Sequence, residues 1–236
     1  MRFIFIGDVH GCIDEFRELV RKACVRSGDR VICLGDFMDK GPDPVACVRF
    51  ARENGFSSIL GNHEQKHLKW RRNEASLPEE SRAQNAALDD DDIAWLEGLP
   101  VLLEPVPGFV AVHGGLFPGI PLAKQPTEAI LRARYVNDAG EHVALDWESP
   151  TPIPPGARHW SSVYDGTHDV VYGHEPHSLS TVRQSRSPSG AVCYGIDTGC
   201  VHGGHLTALI LDGQCVSFVQ ARARRVYKNP LLPIPS

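Results

Sequence analysis

Eight side chains able to ligate metal or carry a proton recur beside glycines along this chain: Asp8 and His10, Asp36 and Asp39, Asn62 and His63, His113, and His174. They comprise three carboxylates, one amide and four imidazoles. Gly7, Gly11, Gly35, Gly41, Gly61, Gly114, Gly115 and Gly173 bracket them, which lets the backbone turn sharply and an ion or phosphate approach closely. Hard carboxylate oxygens mixed with imidazoles suit Mn, Fe or Zn better than Ca or Mg alone. One carboxylate can bridge two such ions about 3.5–4 Å apart, and the pair then clamps a phosphoryl group and activates water. Asp36, central in the order, is the natural bridge. Singly, each residue has a plainer reading: an Asp after Gly at a strand end is usually a turn residue, and an isolated His a surface or satisfied core residue. Repeated at successive strand ends, the set outweighs those readings.

The elements that must position these residues are legible. Residues 2–6, 30–34 and 57–60 are short apolar runs that predict buried strands. Residues 14–26, with Phe16, Leu19, Val20 and Ala23 at helical spacing, and residues 44–54, stopped by Asn54-Gly55, predict helices between them. Strand, loop and helix in alternation predict an α/β fold whose ligands gather at the carboxyl ends of the strands. Residues 64–72 read as a basic helix and 77–92 as a polar surface helix pair. Residues 101–103 and 109–112 read as a hairpin. Residues 118–155 are Pro-rich, with a helix expected near 127–134, and suggest a cap. Further strands are expected at 169–172, 191–196, 206–211 and 216–220, the last two joined by the Asp212-Gly213 turn. The Pro-rich tail 230–236 is expected to be loosely held.

A chain of 236 residues can bury one large core, and a single domain with a cap-like insertion at about 118–160 is expected. A net charge of −5 gives no bulk attraction for nucleic acid or an anionic membrane, so any charge that meets a phosphate must be local. Seven cysteines without a CxxC pair argue against a zinc ribbon or a disulfide framework and read as reduced core residues. The apolar run before Gly7 is too short for a signal peptide, and no run approaches the roughly 18 residues of a membrane span. A cytoplasmic monomer is expected.

In order, GDVHG (7–11), GDFMDKG (35–41), GNHE (61–64), HGG (113–115) and GH (173–174) resemble the calcineurin-like metallophosphoesterases, specifically the phosphoprotein phosphatase superfamily, whose pattern is GDxHG, GDxVDRG, GNHE, HGG and GH. The resemblance spans nearly the whole chain. It implies two packed mixed β-sheets flanked by helices, an αββα sandwich, with a small cap. It implies two divalent ions, Mn before Fe, Zn or Co. One would be held by Asp8, His10 and Asp36, the other by Asp36, Asn62, His113 and His174. His63 would be the general acid, oriented by Asp39, and water would attack phosphorus without a covalent intermediate.

Three features bear on substrate. The string from Ile196 to Leu209, IDTGCVHGGHLTAL, is similar to the LDTGCxWGGxLTAL segment of bacterial symmetrical dinucleoside-tetraphosphate hydrolases, with His202 in place of Trp. Leu131-Arg132-Ala133-Arg134-Tyr135 resembles the MRY or MRF segment of the same enzymes, in which a cap cation faces the polyphosphate. A solvated helix face is its plainer reading. Lys40 stands where the superfamily has Arg and offers a point charge without the bidentate fork. The resemblance therefore implies a dinucleoside polyphosphate as substrate, with Lys40, Arg132, Arg134 and His202 as phosphate contacts. Asp39 fits the serine/threonine protein phosphatase pattern better, and a phosphoprotein substrate is the alternative. Lys66, His67, Lys69, Arg71 and Arg72 could hold a polyanion or form a solvated face. Trp70, Trp95, Trp147 and Trp160 are expected to pack core or cap rather than stack a base.

Overall fold

The computed structural model describes residues 1–143, 153–230 and 234. Trp147 and most of the Pro-rich tail lie outside the described residues.

The first half alternates strand and helix as expected. β1 (Arg2–Ile6) leads into α1 (Ile13–Lys22), which carries Asp14 and Glu15 in its first turn and Arg21 and Lys22 in its last, the arrangement its dipole favours. α1 is shorter than the expected 14–26 because Ala23 caps it and Cys24 turns left-handed at φ 49°. β2 (Arg30–Cys33) precedes α2 (Pro44–Glu53), started by Pro44 and by the Asp43 carboxylate, which accepts from the Ala46 amide at 3.0 Å. β3 is only Ser57–Ser58, and α3 (Asn62–Arg71) begins two residues before the expected position. Asn62 and His63 therefore occupy the first turn of a helix rather than a strand-end loop. The polar stretch folds as α4 (Glu79–Ala86) and α5 (Asp90–Glu97).

The second half opens on a hairpin of β4 (Leu102–Val106) and β5 (Phe109–Val112). α6 (Thr127–Ile130) is a single turn, so Arg132 and Arg134 lie in the connection beyond it and not on the helix expected over 127–134. β6 (Tyr135–Val136), β7 (His142–Val143) and β8 (Arg158–His159) make a small antiparallel sheet of order β7-β6-β8. β9 (Asp169–Tyr172), β10 (Arg183–Arg186), β11 (Val192–Gly195), β12 (Asp197–Thr198), β13 (His205–Asp212) and β14 (Cys215–Arg222) complete the chain. β10 and β12 escape sequence reading because one is polar and the other has two residues.

Two mixed sheets result, β12-β13-β1-β2-β3 with β14 on β13, and β10-β11-β9-β5-β4. Strand alternation sorts the side chains into layers. Phe3, Phe5, Ile32 and Leu34 of the first sheet meet Phe109, Ala111 and Val171 of the second in a shared core, where the Phe5 and Phe109 rings stack at 5.3 Å. Ile4 and Ile6 face the other way, toward α1, α2 and α5. Val110, Val112 and Tyr172 on the outer face of the second sheet pack against Ile130, Ala133 and Trp160. The expected αββα sandwich is present, with short elements covering the second sheet. Trp95 and Trp160 serve packing. No helix among the described residues is long and apolar enough to cross a membrane.

Candidate metal centre

β1, β2, β5 and β9 each release a metal-ligand type of residue at the carboxyl end, and the turns converge from both sheets. Asp8 follows β1, Asp36 follows β2, His113 follows β5 and His174 follows β9. The turns are strained. His10, Asp36, Asp39, Lys40 and His174 have left-handed φ values of 42° to 72°, where non-glycine residues cost on the order of 1–3 kcal/mol each. Glu64 offsets that strain. Its buried carboxylate accepts from the amides of Asp36 (2.7 Å), Phe37 (2.8 Å), Met38 (3.0 Å) and Gly61 (3.2 Å). A Cβ at Gly61 would strike Asp36 and Glu64, so the close approach requires glycine. Glu64→Ala leaves these buried amides without an acceptor. It is expected to cost at least about 3 kcal/mol, measured by denaturant unfolding, and to lower metal retention with it.

Asp36, 1% exposed, lies at the middle of the centre. Its Oδ2 is 3.4 Å from His10 Nε2 and its Oδ1 3.4 Å from His113 Nε2. The His10 and His113 Nδ1 atoms lie 2.8 Å from the Met38 carbonyl and 2.7 Å from the Leu34 carbonyl. A carbonyl only accepts, so each Nδ1 carries a hydrogen, and the neutral His10 ring presents a bare Nε2 inward. His174 Nε2 is buried with no hydrogen-bond partner, an orphaned lone pair that a cation would satisfy. At this centre, two groups of described residues have all their ligand atoms within 4.8 Å of one another: His10, Asp36 and His63, and Asp36, His113 and His174. Asp36 belongs to both. Asn62 Oδ1 reaches His113 Nε2 at 3.0 Å. Asp8 lies beside these groups rather than within them, with both oxygens accepting from the His174 amide at 3.0 Å.

The electrostatics suit cation binding. Burial, then the Lys40 ammonium, push His10 well below its ordinary range, and burial followed by Arg134 does the same to His174. Both imidazoles are thus neutral and able to ligate. Burial works to raise Asp36, but His113, His63 and His10 prevail and hold it well below the usual carboxylate range. Burial works to lower His113, and Asp36 outweighs it, raising His113 to about 9. Without metal, His113 therefore keeps a proton at neutral pH that an incoming ion must displace. Metal affinity is expected to strengthen as pH rises toward about 9, checked by metal titration across that range. A flat profile would contradict it. The Lys40 ammonium itself stands 2.8 Å from His10 Nε2, a positive charge where an ion bound by His10 would sit.

His63 occupies the open side of the centre. Its Nδ1 is 2.5 Å from Asp39 Oδ2, and its side chain is 18% exposed where those of His10 and His113 are 4% and 0%. The other Asp39 oxygen accepts from Ser81 Oγ at 2.6 Å and meets His67 Nε2 at 3.1 Å. Asn85 meets His67 Nδ1 at 3.2 Å and accepts from Arg71 at 2.7 Å. Sequence reading placed His67 and Arg71 in a basic surface stretch. Both instead join this hydrogen-bonded chain behind Asp39, and the sequence marks it only by the i, i+4 spacing of His63, His67 and Arg71 on α3.

The four candidate phosphate contacts divide. Arg134 is half-buried, and desolvation lowers its guanidinium pKa against the opposing pull of the Glu175, Asp36, Asp197 and Asp8 carboxylates. Lys40 lies at His10. Arg132 donates to Gln65 Oε1 at 2.7 Å, at the α3 side. The His202 ring is 2.7 Å from the Lys228 carbonyl, tied to the C-terminal segment. Asp197 is an unanticipated member of the centre: burial raises it to about 6, and it in turn raises Asp8 after burial has done so.

The profile of the calcineurin-like phosphoesterases matches residues 1–205. A symmetrical bis(5'-nucleosyl)-tetraphosphatase of Haemophilus ducreyi is 26% identical over 89% of this chain and 95% of its own length. One from Aromatoleum aromaticum is 37% identical over 56% of this chain and 50% of its own length. An asymmetrical bis(5'-nucleosyl)-tetraphosphatase of Halalkalibacterium halodurans is 29% identical over 89% of both chains. Among solved structures, a diadenosine tetraphosphatase candidate superimposes with a TM-score of 0.76 at 26% identity over 93% of each chain. A serine/threonine phosphatase of Saccharomyces cerevisiae shares the fold, at TM-score 0.63 and 17% identity over 98% of this chain and 83% of its own. With a profile match over most of its length, and with the motif residues gathered around Asp36, the chain belongs to the calcineurin-like phosphoesterases.

Proposed function

We propose that this calcineurin-like phosphoesterase hydrolyses a phosphoanhydride bond of dinucleoside polyphosphates, converting diadenosine tetraphosphate and water to two ADP. The observation that carries the substrate class is Arg134, a half-buried cation within the electrostatic reach of the carboxylates of the centre, where a polyanion longer than one phosphate would extend. The names of the full-length relatives support the same class.

In this reading Asp8, His10 and Asp36 hold one divalent ion, and Asp36, Asn62, His113 and His174 the other. Mn suits the donor set best, with Fe, Zn and Co also compatible. Such a pair supplies Lewis-acid charge and a water made acidic enough to attack at neutral pH. The protein's own residues supply the rest. His63 Nε2 gives its proton to the leaving phosphate oxygen while Asp39 holds Nδ1. Arg134 forks onto phosphate oxygens, and Lys40, Arg132 and His202 meet the remaining charge. The segment at about 118–160, of which residues 144–152 lie outside the described residues, is read as a cap within a single domain, and the protein as a cytoplasmic monomer.

The test compares kcat/KM on diadenosine tetraphosphate and on a phosphoserine peptide, with products resolved. Preference for the tetraphosphate with ADP as the product is expected. ATP and AMP would reassign the cleavage to the asymmetrical position, and preference for the peptide would overturn the substrate class in favour of a protein phosphatase. Arg134→Ala is expected to lower kcat/KM on the tetraphosphate by about 10- to 150-fold, the equivalent of one charged hydrogen-bonding group at ~1.5–3 kcal/mol, and to spare a small aryl phosphate.

A further inference from the structure

A second constellation lies on the helix side of the first sheet. Cys12 caps the start of α1, Glu15 stands in its first turn, and Cys200 opens the short turn Cys200–His202 between β12 and β13. All three are buried, at 0%, 0% and 1% exposed. The two sulfurs and a Glu15 carboxylate oxygen lie within 4.8 Å of one another. Glu15 Oε1 accepts from the Arg224 amide at 2.9 Å and from the Tyr227 hydroxyl at 2.7 Å. Glu15 Oε2 is buried with no hydrogen-bond partner, although an unsatisfied buried carboxylate oxygen is costly.

We propose that Cys12, Glu15 and Cys200 form a further metal site, separate from the Asp36 centre, that takes a thiophilic divalent cation such as Zn2+. Two thiolates and a carboxylate select Zn2+ over harder ions. The cation gives Glu15 Oε2 the partner it otherwise lacks. The donors on Oε1 are the support that a ligating carboxylate needs to stay aimed. Zn–S bonds of about 2.3 Å are reached from this spacing by small side-chain adjustments. The Tyr227 hydroxyl, donating to Glu15 Oε1, stands beside the group without being one of its ligand atoms. The ion would join three distant stretches of chain: the loop that carries Asp8 and His10, the turn after Asp197, and the C-terminal segment at Arg224 and Tyr227. Its binding releases the thiol protons and stabilises the fold without entering the reaction. Cys12 and Cys200 are buried core residues, as the sequence suggests, and the proposed ion would add a ligand role to that packing.

The Asp36 centre offers nitrogen and oxygen donors, so thiolate signatures separate the two sites. The reduced, metal-stripped full chain is titrated with Co2+ and followed in the near ultraviolet for the sulfur-to-cobalt charge-transfer band. The expected result is a band that accompanies one equivalent of metal, persists in Asp36→Asn, and disappears in Cys12→Ser and in Cys200→Ser. Circular dichroism confirms that each variant is folded. In the wild type, Zn2+ is expected to protect two thiols from a thiol reagent and a chelator to expose them, a readout that needs no substitution. No sulfur band in the reduced wild type together with no Zn2+ protection, or a band unmoved by both cysteine substitutions, overturns the proposal. So does recovery of Cys12 and Cys200 as a disulfide that reduction does not convert to a metal-binding form.

Discussion

Asp36→Asn is expected to strip both ions from the centre while leaving the fold intact. Each Asp36 oxygen faces a different imidazole, Oδ2 toward His10 and Oδ1 toward His113, so one substitution removes the carboxylate from both groups. The replacement keeps the shape and retains an oxygen able to accept from the His63 amide, which Asp36 Oδ1 does at 3.1 Å. What it removes is the negative charge that holds three imidazoles around it. Tightly bound metal should fall from two equivalents toward none at the centre. Phosphohydrolase activity should fall beyond the ~10²–10³-fold that losing a single transition-state donor costs. Substitutions at the flanks should behave differently: His113→Asn, on the Oδ1 side, is expected to weaken one ion more than the other. Two ions retained in Asp36→Asn would mean that the imidazoles and Asp8 suffice, and the bridging role would be wrong.

The parts of the fold that a sequence reveals are those governed by local alternation. β1 and β9 match the expected runs residue for residue because their apolar stretches are bounded on both sides by polar or glycine turns. β3 shrinks to two residues because the chain turns away beyond it: the Ile59 amide makes the last bond to β2, at the Cys33 carbonyl, and the Leu60 amide donates to the Pro100 carbonyl instead. The helix expected at 127–134 stops after one turn because the Ile130 carbonyl accepts from the amides of Gly114 and Gly115. That acceptor is spent on the HGG turn instead of on the next helical turn. Partnerships of this kind, formed over long sequence separations, have no periodicity to betray them.

The centre was legible for a related reason. Metal-ligand types after glycine at strand ends are a local signal, and parallel strands bring such ends together. The supporting residues were not. Glu64 belongs to a recognisable motif, yet nothing in GNHE announces that its carboxylate collects amides from the turn after β2. His67, Ser81 and Asn85 look like surface helix residues because their burial depends on α4 folding back over α3. Asp197 lay within a recognised string, but its place beside Asp8 follows from the ladder, in which Asp197 pairs with Leu206 just beyond the point where β1 leaves β13.

His63→Ala is expected to lower kcat by at least about 100-fold, the low end for loss of a general acid, with the metal content unchanged. Two roles compete for this side chain. His63 belongs to one of the tight ligand groups, so it could be a ligand. Its bond to Asp39 at 2.5 Å, its partial exposure and the 3.9 Å from its Nε2 to Asp36 Oδ2 favour a proton donor instead. Metal analysis separates the two, because loss of a ligand costs an ion and loss of an acid does not. The leaving group provides a second separation. An ester with a nitrophenolate leaving group needs little protonation, so His63→Ala should slow its hydrolysis far less than that of a phosphoanhydride or alkyl ester. A ligand role would slow both alike. Asp39→Asn should follow the same pattern with a smaller loss, because the amide can still accept from Nδ1 but no longer carries the carboxylate's negative charge. His67→Gln should be smaller again, since it acts through Asp39. A graded series of this kind, at constant metal content, is the signature of a proton donor held in place through hydrogen bonds, and a variant that loses an ion at any step would move His63 from acid to ligand.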